Sequence, residues 1–467
     1  MIVQENNVFS KDNVATLRSK VKGKLLQPGD AQYEEAAKAW NLAAQQHPLL
    51  VLMAEGAEDI KAAVQFASDA NIGVAVMATG HGVGIVCDGG LLINTSRMRA
   101  VQIDTDAKTA KVEAGALWKD VNIVAHPHGL TGLAGSASHV GVVGYTLGGG
   151  YGYLGRKHGL NSSSVIAADI VTADGKLMHV SADENEQLFW AVKGSVGNMG
   201  IVVSLEFRLY PLTHVFGGAV FYPFDQAQEV FELYAEWTSN LPDEMTTAFA
   251  FMNVPPLPFL PEPIRGKSVV VIKGCYCGDD PAKGEELFNS VRNNIQGKIM
   301  DTFRTMPVSE MDTISNDPLG PLAVLQYGNL INDLSDEAID VFMKLTGPQS
   351  PVTIIEFRRL GGALQKQSQD ISLLGSGNAR YSMNALGVVF SQEVSNKINA
   401  YFDLLADKTR PFQTGESFIN FVEMNPGINR VRSAYIPGDW EKLVKLKTLY
   451  DPKNIFRFNR NIPPSAK

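Results

Sequence analysis

Two glycine-rich segments and one histidine are the residues of this sequence whose types and spacing first suggest chemistry. Thr79-Gly80-His81-Gly82-Val83-Gly84 follows an apolar run directly, so a histidine stands on a turn between glycines. Across residues 141–159, eight of nineteen residues are glycine. Glycines this dense permit positive φ or let backbone approach a ligand closely. Together the two segments could present many backbone N–H groups to a pyrophosphate with no side chains in the way. Within the second, Gly150-x-Gly152-x-x-Gly155 matches the dinucleotide fingerprint G-x-G-x-x-G. A working fingerprint follows a strand and opens a helix. Here no β-branched run precedes it and Arg156-Lys157-His158-Gly159 starts no periodic helix, so it reads as a coincidence of composition. Cys275 and Cys277 share a face on a strand, but with no third and fourth ligand nearby they make a poor metal site. Buried thiols, and no metal, are expected.

The elements that would position these residues follow from periodicity. Residues 12–45 read as amphipathic helix. Residues 48–54 form an apolar run of strand length. Residues 58–71 have a helical period with Ile60, Val64, Phe66 and Ala67 inward, and residues 72–78 form a second apolar run. Strand, helix, strand and glycine turn make a βαβ unit with His81 at its end. Residues 91–98 and 109–115 read as strands and 117–126 as a helix. Residues 165–172 and 176–180 read as a hairpin about Asp174-Gly175, and 187–193 as a short helix. After Pro211 the texture changes. Helices are expected over 225–239 and 281–294, and strands over 268–277, 352–358, 381–389 and 417–423. A last helix covers 438–449. Strands and helices without regular βα alternation predict an antiparallel sheet in an α+β arrangement.

Composition sets the outer limits. The 467 residues are 45% hydrophobic and 19% charged, ordinary for a globular chain with a sizeable core. Forty-one basic against 49 acidic residues give a net charge of −8, which is no footprint for nucleic acid or an anionic membrane. Three cysteines cannot make a disulfide framework. No apolar stretch approaches about 18 residues, and the first twenty lack a basic segment followed by an apolar run. A cytoplasmic, reducing setting is expected.

At this point the sequence resembles a known family. AVMATGHGVGIVCDGGLLINTSRM is similar to the flavin-attachment segment of berberine bridge enzyme-like FAD oxidases, in the vanillyl-alcohol oxidase superfamily. GSASHVGVVGYTLGGGYGYLGRKHGL resembles their G-x-C-P-T-V-G-V-G-G-x-x-x-G-G-G-x-G-x-L-x-R-K-Y-G-L run. QLFWAVKGSVGNMGIVVSLEFRLYPL and WEKLVKLKTLYDPKNIFRFNRNIPP resemble two later motifs, in the right order, so the likeness covers nearly the whole chain. The 6-hydroxynicotine oxidase-like members are nearest in character.

The resemblance implies a PCMH-type FAD-binding domain of two α/β subdomains and a substrate domain with an antiparallel sheet flanked by helices. The FAD domain would take residues 1–210 (core about 44–212), the substrate domain 211–424, and residues 425–467 would return to the FAD domain. His81 takes the place of the histidine bonded to the flavin 8α carbon. Thr79, Gly80, Gly82, Val83 and Gly84 would lie along the cofactor on one side, and Gly135, Ser136, Val140, Gly141 and Gly144 on the other. Gly148, Gly149, Gly150, Gly152, Gly159 and Leu160 continue that segment. Gly200 and Val202 would pack by the adenine end and Asn459 near the ring. Val140 falls where oxygen access is controlled, and a valine leans toward oxidase over dehydrogenase.

Departures from the family pattern carry their own implications. The second flavin anchor, a cysteine, is Ala137 here, so a single link through His81 is expected; Cys87 is displaced along the chain. Met77 replaces the arginine of R-x-G-G-H. The tyrosine base of Y-x-N-Y is Phe421, in Phe418-Ile419-Asn420-Phe421. Glu423, two residues on, and Tyr435 are the replacement bases considered, and Phe418, Asn420 and Phe421 would meet the substrate. The expected reaction is hydride transfer from a substrate C–O or C–N carbon to FAD, with reoxidation by oxygen to hydrogen peroxide. A base-poor site tilts toward an amine, which needs no hydroxyl proton removed. A flavin dehydrogenase using another acceptor, and a non-enzymatic flavoprotein on the same fold, remain as alternatives. Oligomeric state is left open.

Overall fold

The His81 turn hangs from a four-stranded sheet in the order Lys24–Leu26, Leu50–Met53, Leu91–Asn94, Val74–Met77. In the computed structural model, residues 11–258, 260–365, 370, 371, 373, 375 and 377–466 are described. Leu50–Met53 and Val74–Met77 both run parallel to Leu91–Asn94, which lies between them. The βαβ unit is therefore present, with a later strand inserted at its centre. Its helix, Ala57–Asp69, buries Ile60, Ala63, Val64 and Ala67 completely. Phe66 is only partly buried against the same cluster.

The long helix expected over 12–45 is not formed. Helix covers Lys11–Lys20 alone; the chain then makes the edge strand Lys24–Leu26, antiparallel to Leu50–Met53, and the short helix Tyr33–Ala37. Pro28-Gly29 is the physical reason. Gly29 takes φ 95°, and the Asp30 carboxylate accepts from the Gln27 N–H, closing a turn where helix would have to continue.

A second sheet is wholly antiparallel: Val101–Asp104, Thr109–Glu113, Ile201–Arg208, Val165–Val171, Leu177–Ser181. Its last two strands are the expected hairpin, with Gly175 at φ 75° and the Thr172 hydroxyl donating to the Asp174 carboxylate.

The third sheet has eight strands, all antiparallel. At its centre Ser268–Tyr276, Met245–Asn253 and Ile354–Arg359 lie between His214–Pro223 on one side and Tyr381–Val388 with Val324–Ile331 on the other. Alternation decides its two faces. Ile272, Phe249, Ile355 and Phe357 join the cluster under the helices Ala227–Trp237, Asp336–Leu345 and Gln392–Thr409. Lys273, Ala248, Glu356 and Arg358, one residue out of step, point the other way. The whole is an α+β fold.

Residues 417–423 are not a strand. They form a 3-10 turn at Ile419–Phe421, with Phe418, Ile419 and Val422 buried. Asn420 replaces ladder bonds with side-chain ones: its Oδ1 accepts from the Gly150 N–H (3.0 Å) and its Nδ2 donates to the Tyr145 carbonyl (3.2 Å).

The last helix, Pro437–Tyr450, packs Trp440, Leu443 and Leu446 into the core that holds Trp118, Val192 and Val202. Lys447, fully buried, donates to the Asp451 carboxylate (2.6 Å) and to the Asn198 and Phe456 carbonyls. Asp451 in turn accepts from the backbone of Ile455 and Phe456. No helix among the described residues is long and apolar enough to cross a membrane.

Candidate active site

Gly80, at φ 77°, ends the strand Val74–Met77 in a turn that a β-carbon would strain. It puts His81 between three contacts. Its Nδ1 lies 2.8 Å from Thr79 Oγ1. Its ring stacks on Trp40 at 4.4 Å and 16°, and the His139 ring is 5.0 Å away. Its Nε2 is buried without a hydrogen-bond partner. Burial, then the neighbouring His139, lowers the His81 pKa to about 3, so the imidazole is neutral at neutral pH.

The turn is tied to its surroundings at both ends. The Trp40 N–H donates to the Thr79 carbonyl and the Asn41 N–H to that of Gly80. Asn41 also exchanges side-chain bonds, both 3.0 Å, with the backbone of Val324, at the edge of the third sheet. A β-carbon on Gly84 would fall 2.7 Å from Asn459, so the C-terminal segment crosses directly over this glycine. Val83 packs with the cluster of Leu26, Val51 and Met77.

The second glycine segment does meet the first. A β-carbon on Gly141 would sit 3.5 Å from that of Ala78. Gly141 precedes the short helix Val142–Thr146, which contains Gly144. Gly82 and Gly144 both face open space, with no atom within 4 Å of a β-carbon built there. Gly135 and Gly150 lie against the Tyr145 ring, Gly148 against Asn420 and Gly149 against Phe418. A β-carbon on Gly152 would fall 1.8 Å from the Ala134 carbonyl oxygen, which excludes any side chain. Gly159 takes φ 90°, and Leu160 is buried beside Val143 and Leu147 in the core. The Val140 carbonyl accepts from the Trp118 N–H. Asn459 keeps a buried Oδ1 without a partner. Gly200 and Val202 lie in the five-stranded sheet against Ile170, and their contacts are with that sheet rather than with the glycine segments.

The two base candidates are engaged elsewhere, and neither is left as a free proton acceptor. Tyr435 is buried in the core and donates to the Gly194 carbonyl at 2.9 Å; burial raises its pKa further. Glu423 is held by Arg430 Nε at 2.9 and 3.1 Å. The expectation that Glu423 and Phe421 share a strand face fails with the strand itself. Phe418 and Phe421 do form an apolar pair, edge to face at 5.3 Å.

Between the glycine segment and the third sheet lies a small pocket lined by Ser136, Tyr151, Tyr153, Thr247, Lys273 and Arg358. Its sheet side carries charge. Glu356 is buried between Lys273 and Arg358 and paired with both. Burial would raise the Glu356 pKa, but the two cations hold it at about 2. Burial would neutralise Lys273, but Glu356 keeps it charged. Lys273 Nζ donates to Ser315 Oγ (3.1 Å), which is 2.5 Å from the Tyr153 hydroxyl. Ser136 donates to Asp317 at 2.6 Å. Sequence reasoning missed Lys273, Glu356, Arg358, Tyr151 and Tyr153. A signal was available: charged residues alternate with large apolar ones inside two central strands, Ile272-Lys273 and Ile355-Glu356-Phe357-Arg358.

Comparison with known proteins gives this geometry a class. The FAD binding domain model matches residues 48–181, and the berberine and berberine-like model matches residues 417–463. An FAD-linked oxidoreductase of Dictyostelium discoideum is 27% identical over 95% of this chain and 95% of its own. The (R)-6-hydroxynicotine oxidase of Paenarthrobacter nicotinovorans is 27% identical over 96% of this chain and 98% of its own. Among solved structures, berberine bridge enzyme-like 1 of Physcomitrella patens superposes with a TM-score of 0.84 at 20% identity, covering 97% of this chain and 100% of that one. Over nearly its whole length the chain is similar to FAD-linked oxidoreductases, and it carries matches to the FAD binding domain and to the berberine and berberine-like model. It is an oxidoreductase that binds FAD.

The residues present fit that cofactor. His81 Nε2, Tyr145 Oη and Asn459 Oδ1 are buried polar atoms without partners. Gly82 and Gly144 leave room that a β-carbon would fill. Buried polar groups without partners cost free energy unless a ligand or water meets them.

Proposed function

We propose that this chain is an FAD-dependent oxidase whose cofactor is held by a single covalent link at His81. FAD held there would supply a two-electron acceptor for hydride from a substrate carbon and a route for the electron pair to oxygen, with hydrogen peroxide as the product. The observation that carries this reading is the buried, partnerless Nε2 of a neutral His81 beside the open glycines Gly82 and Gly144. Thr79 fixes the ring through Nδ1 and Trp40 fixes its plane. Ala137 offers no thiol for a second link. Cys87 is fully buried and its pKa is pushed up to about 12, which makes it a poor nucleophile.

The lobes follow the sheets: FAD would be held by residues 1–210 with 425–467, and a small-molecule substrate by 211–424. Val140, beside the second glycine segment, would govern oxygen access. Ser136 and Tyr153 line the cavity in which a substrate would sit, and Phe418 and Phe421 add an apolar wall. Tyr153, whose hydroxyl meets Ser315, lines the pocket. To take a hydroxyl proton it would have to start as the phenolate, which burial disfavours and the nearby Lys273 cation favours, and it would end as the neutral phenol. An amine substrate would need no such step. Three buried, unpaired thiols support a cytoplasmic setting.

The test is acid precipitation followed by a denaturing gel viewed for flavin fluorescence. The reading expects fluorescence in the protein band, lost in His81→Ala and kept in Cys87→Ala. A colourless pellet with free yellow FAD overturns the covalent link. Stopped-flow reoxidation after anaerobic reduction separates an oxidase, which oxygen reoxidises rapidly, from a dehydrogenase, which it does not.

A further inference from the structure

We propose that Arg358 is a carboxylate-recognising fork, so that the substrate is a small alcohol or amine bearing a carboxylate. The proposal rests on the oxidase reading above and names its substrate class.

Four observations converge on Arg358. It lines the small pocket between the glycine segment and the third sheet. Its Nε is committed to Glu356. Its guanidinium carbon lies 5.9 Å from the centre of the Tyr151 ring and 5.4 Å from that of Phe421, so two aromatic rings hold the group. Its two terminal nitrogens donate to no described residue. The neighbouring arginines differ: Arg359 donates to the Thr238 and Arg380 carbonyls, and Arg156 to those of Leu360, Leu241 and Pro242. Arg358 alone of these three keeps its terminal nitrogens free of described partners.

A guanidinium held by one acid and two rings has already lost most of its rotamer freedom. It presents parallel N–H bonds in the plane that a carboxylate matches bidentately. Its terminal donors, on a side chain 19% exposed, are open to an anionic guest. Lys273 and Arg358 share the one carboxylate of Glu356. Asp317, which accepts from Ser136, adds a negative charge that acts on Lys273 and is not among the groups acting on Arg358.

Calorimetric titration of the purified holoprotein tests this with three probes: benzoate, its neutral isostere benzamide, and inorganic phosphate. Benzoate is expected to bind and benzamide to bind at least roughly tenfold more weakly. Arg358→Met should weaken benzoate roughly 10- to 100-fold, with flavin content unchanged. Arg358→Lys, which keeps the charge and loses the fork, should fall between. Equal binding of benzoate and benzamide overturns the proposal. So does unchanged benzoate affinity in either variant, and so does phosphate binding as tightly as benzoate, which would make the site a phosphate site. Loss of flavin from both variants assigns Arg358 to the cofactor and also overturns it. Failure of the oxidase reading shows separately, as protein without flavin or without hydrogen peroxide formation.

Discussion

Arg460 donates through one terminal nitrogen to the carbonyl of Gly82, at 3.1 Å and 378 residues away in the chain. Its Nε and second terminal nitrogen reach the Val422 carbonyl. One buried guanidinium thus joins the histidine turn, the Phe418–Phe421 segment and the C-terminal tail. Burial lowers its pKa to about 10, still well above neutrality, so it remains a cation. Arg460→Met should leave the buried Val422 carbonyl and the Gly82 carbonyl short of a donor and cost about 2 kcal/mol. The expected result is a Tm several degrees lower and weaker FAD retention on gel filtration.

Gly82 and Gly144 separate cofactor binding from folding. A β-carbon at either position has no protein atom within 4 Å. Gly82→Val and Gly144→Leu should therefore melt within about 2 °C of wild type while FAD content, read from the 450 nm absorbance, falls severalfold. Gly152→Ala should do the opposite, lowering the Tm sharply through its clash with the Ala134 carbonyl.

Ala137 stands where relatives are expected to carry a second flavin anchor. Ala137→Cys should gain a thioether link. In His81→Ala/Ala137→Cys the gel band should stay fluorescent, whereas His81→Ala alone should be dark. A dark double variant would show that residue 137 is out of reach of the flavin.

Glu356 gives a pH dependence with a definite sign. Its folded pKa of about 2 lies below the ordinary 4.5, so its stabilising contribution is full above 4.5 and is lost as the pH falls toward 2. The full contribution is about 3 kcal/mol. Urea midpoints of wild type and Glu356→Gln should differ clearly at pH 7 and converge as the pH is lowered through that window.

Lys447 and Asp451 form a pair with no solvent exposure. Lys447→Met strands a buried carboxylate and should cost about 3–5 kcal/mol. Denaturant unfolding measures it directly.

What could be read from the sequence was what glycine and turn chemistry encode locally. The His81 turn, the Gly141–Gly159 cradle and the Asp174-Gly175 hairpin each depend on residues adjacent in the chain. Missed features depend on partners far away. Whether Lys273 and Arg358 face solvent or cavity is set by strand register, since one step of slip turns every side chain to the other face. Phe418-Ile419-Asn420-Phe421 has the composition of a strand but finds no sheet edge, and Asn420 supplies bonds a neighbouring strand would have made. The amphipathic flanks of Pro28-Gly29 predict one long helix, whereas the turn at that pair divides it.

Asn41 clasps the backbone of Val324 while its own N–H holds Gly80. The His81 turn and the eight-stranded sheet are therefore not interchangeable modules. A chimera that exchanges the eight-stranded sheet for that of a relative must carry residues 40–42 with it, or the histidine turn loses the seam that sets its position.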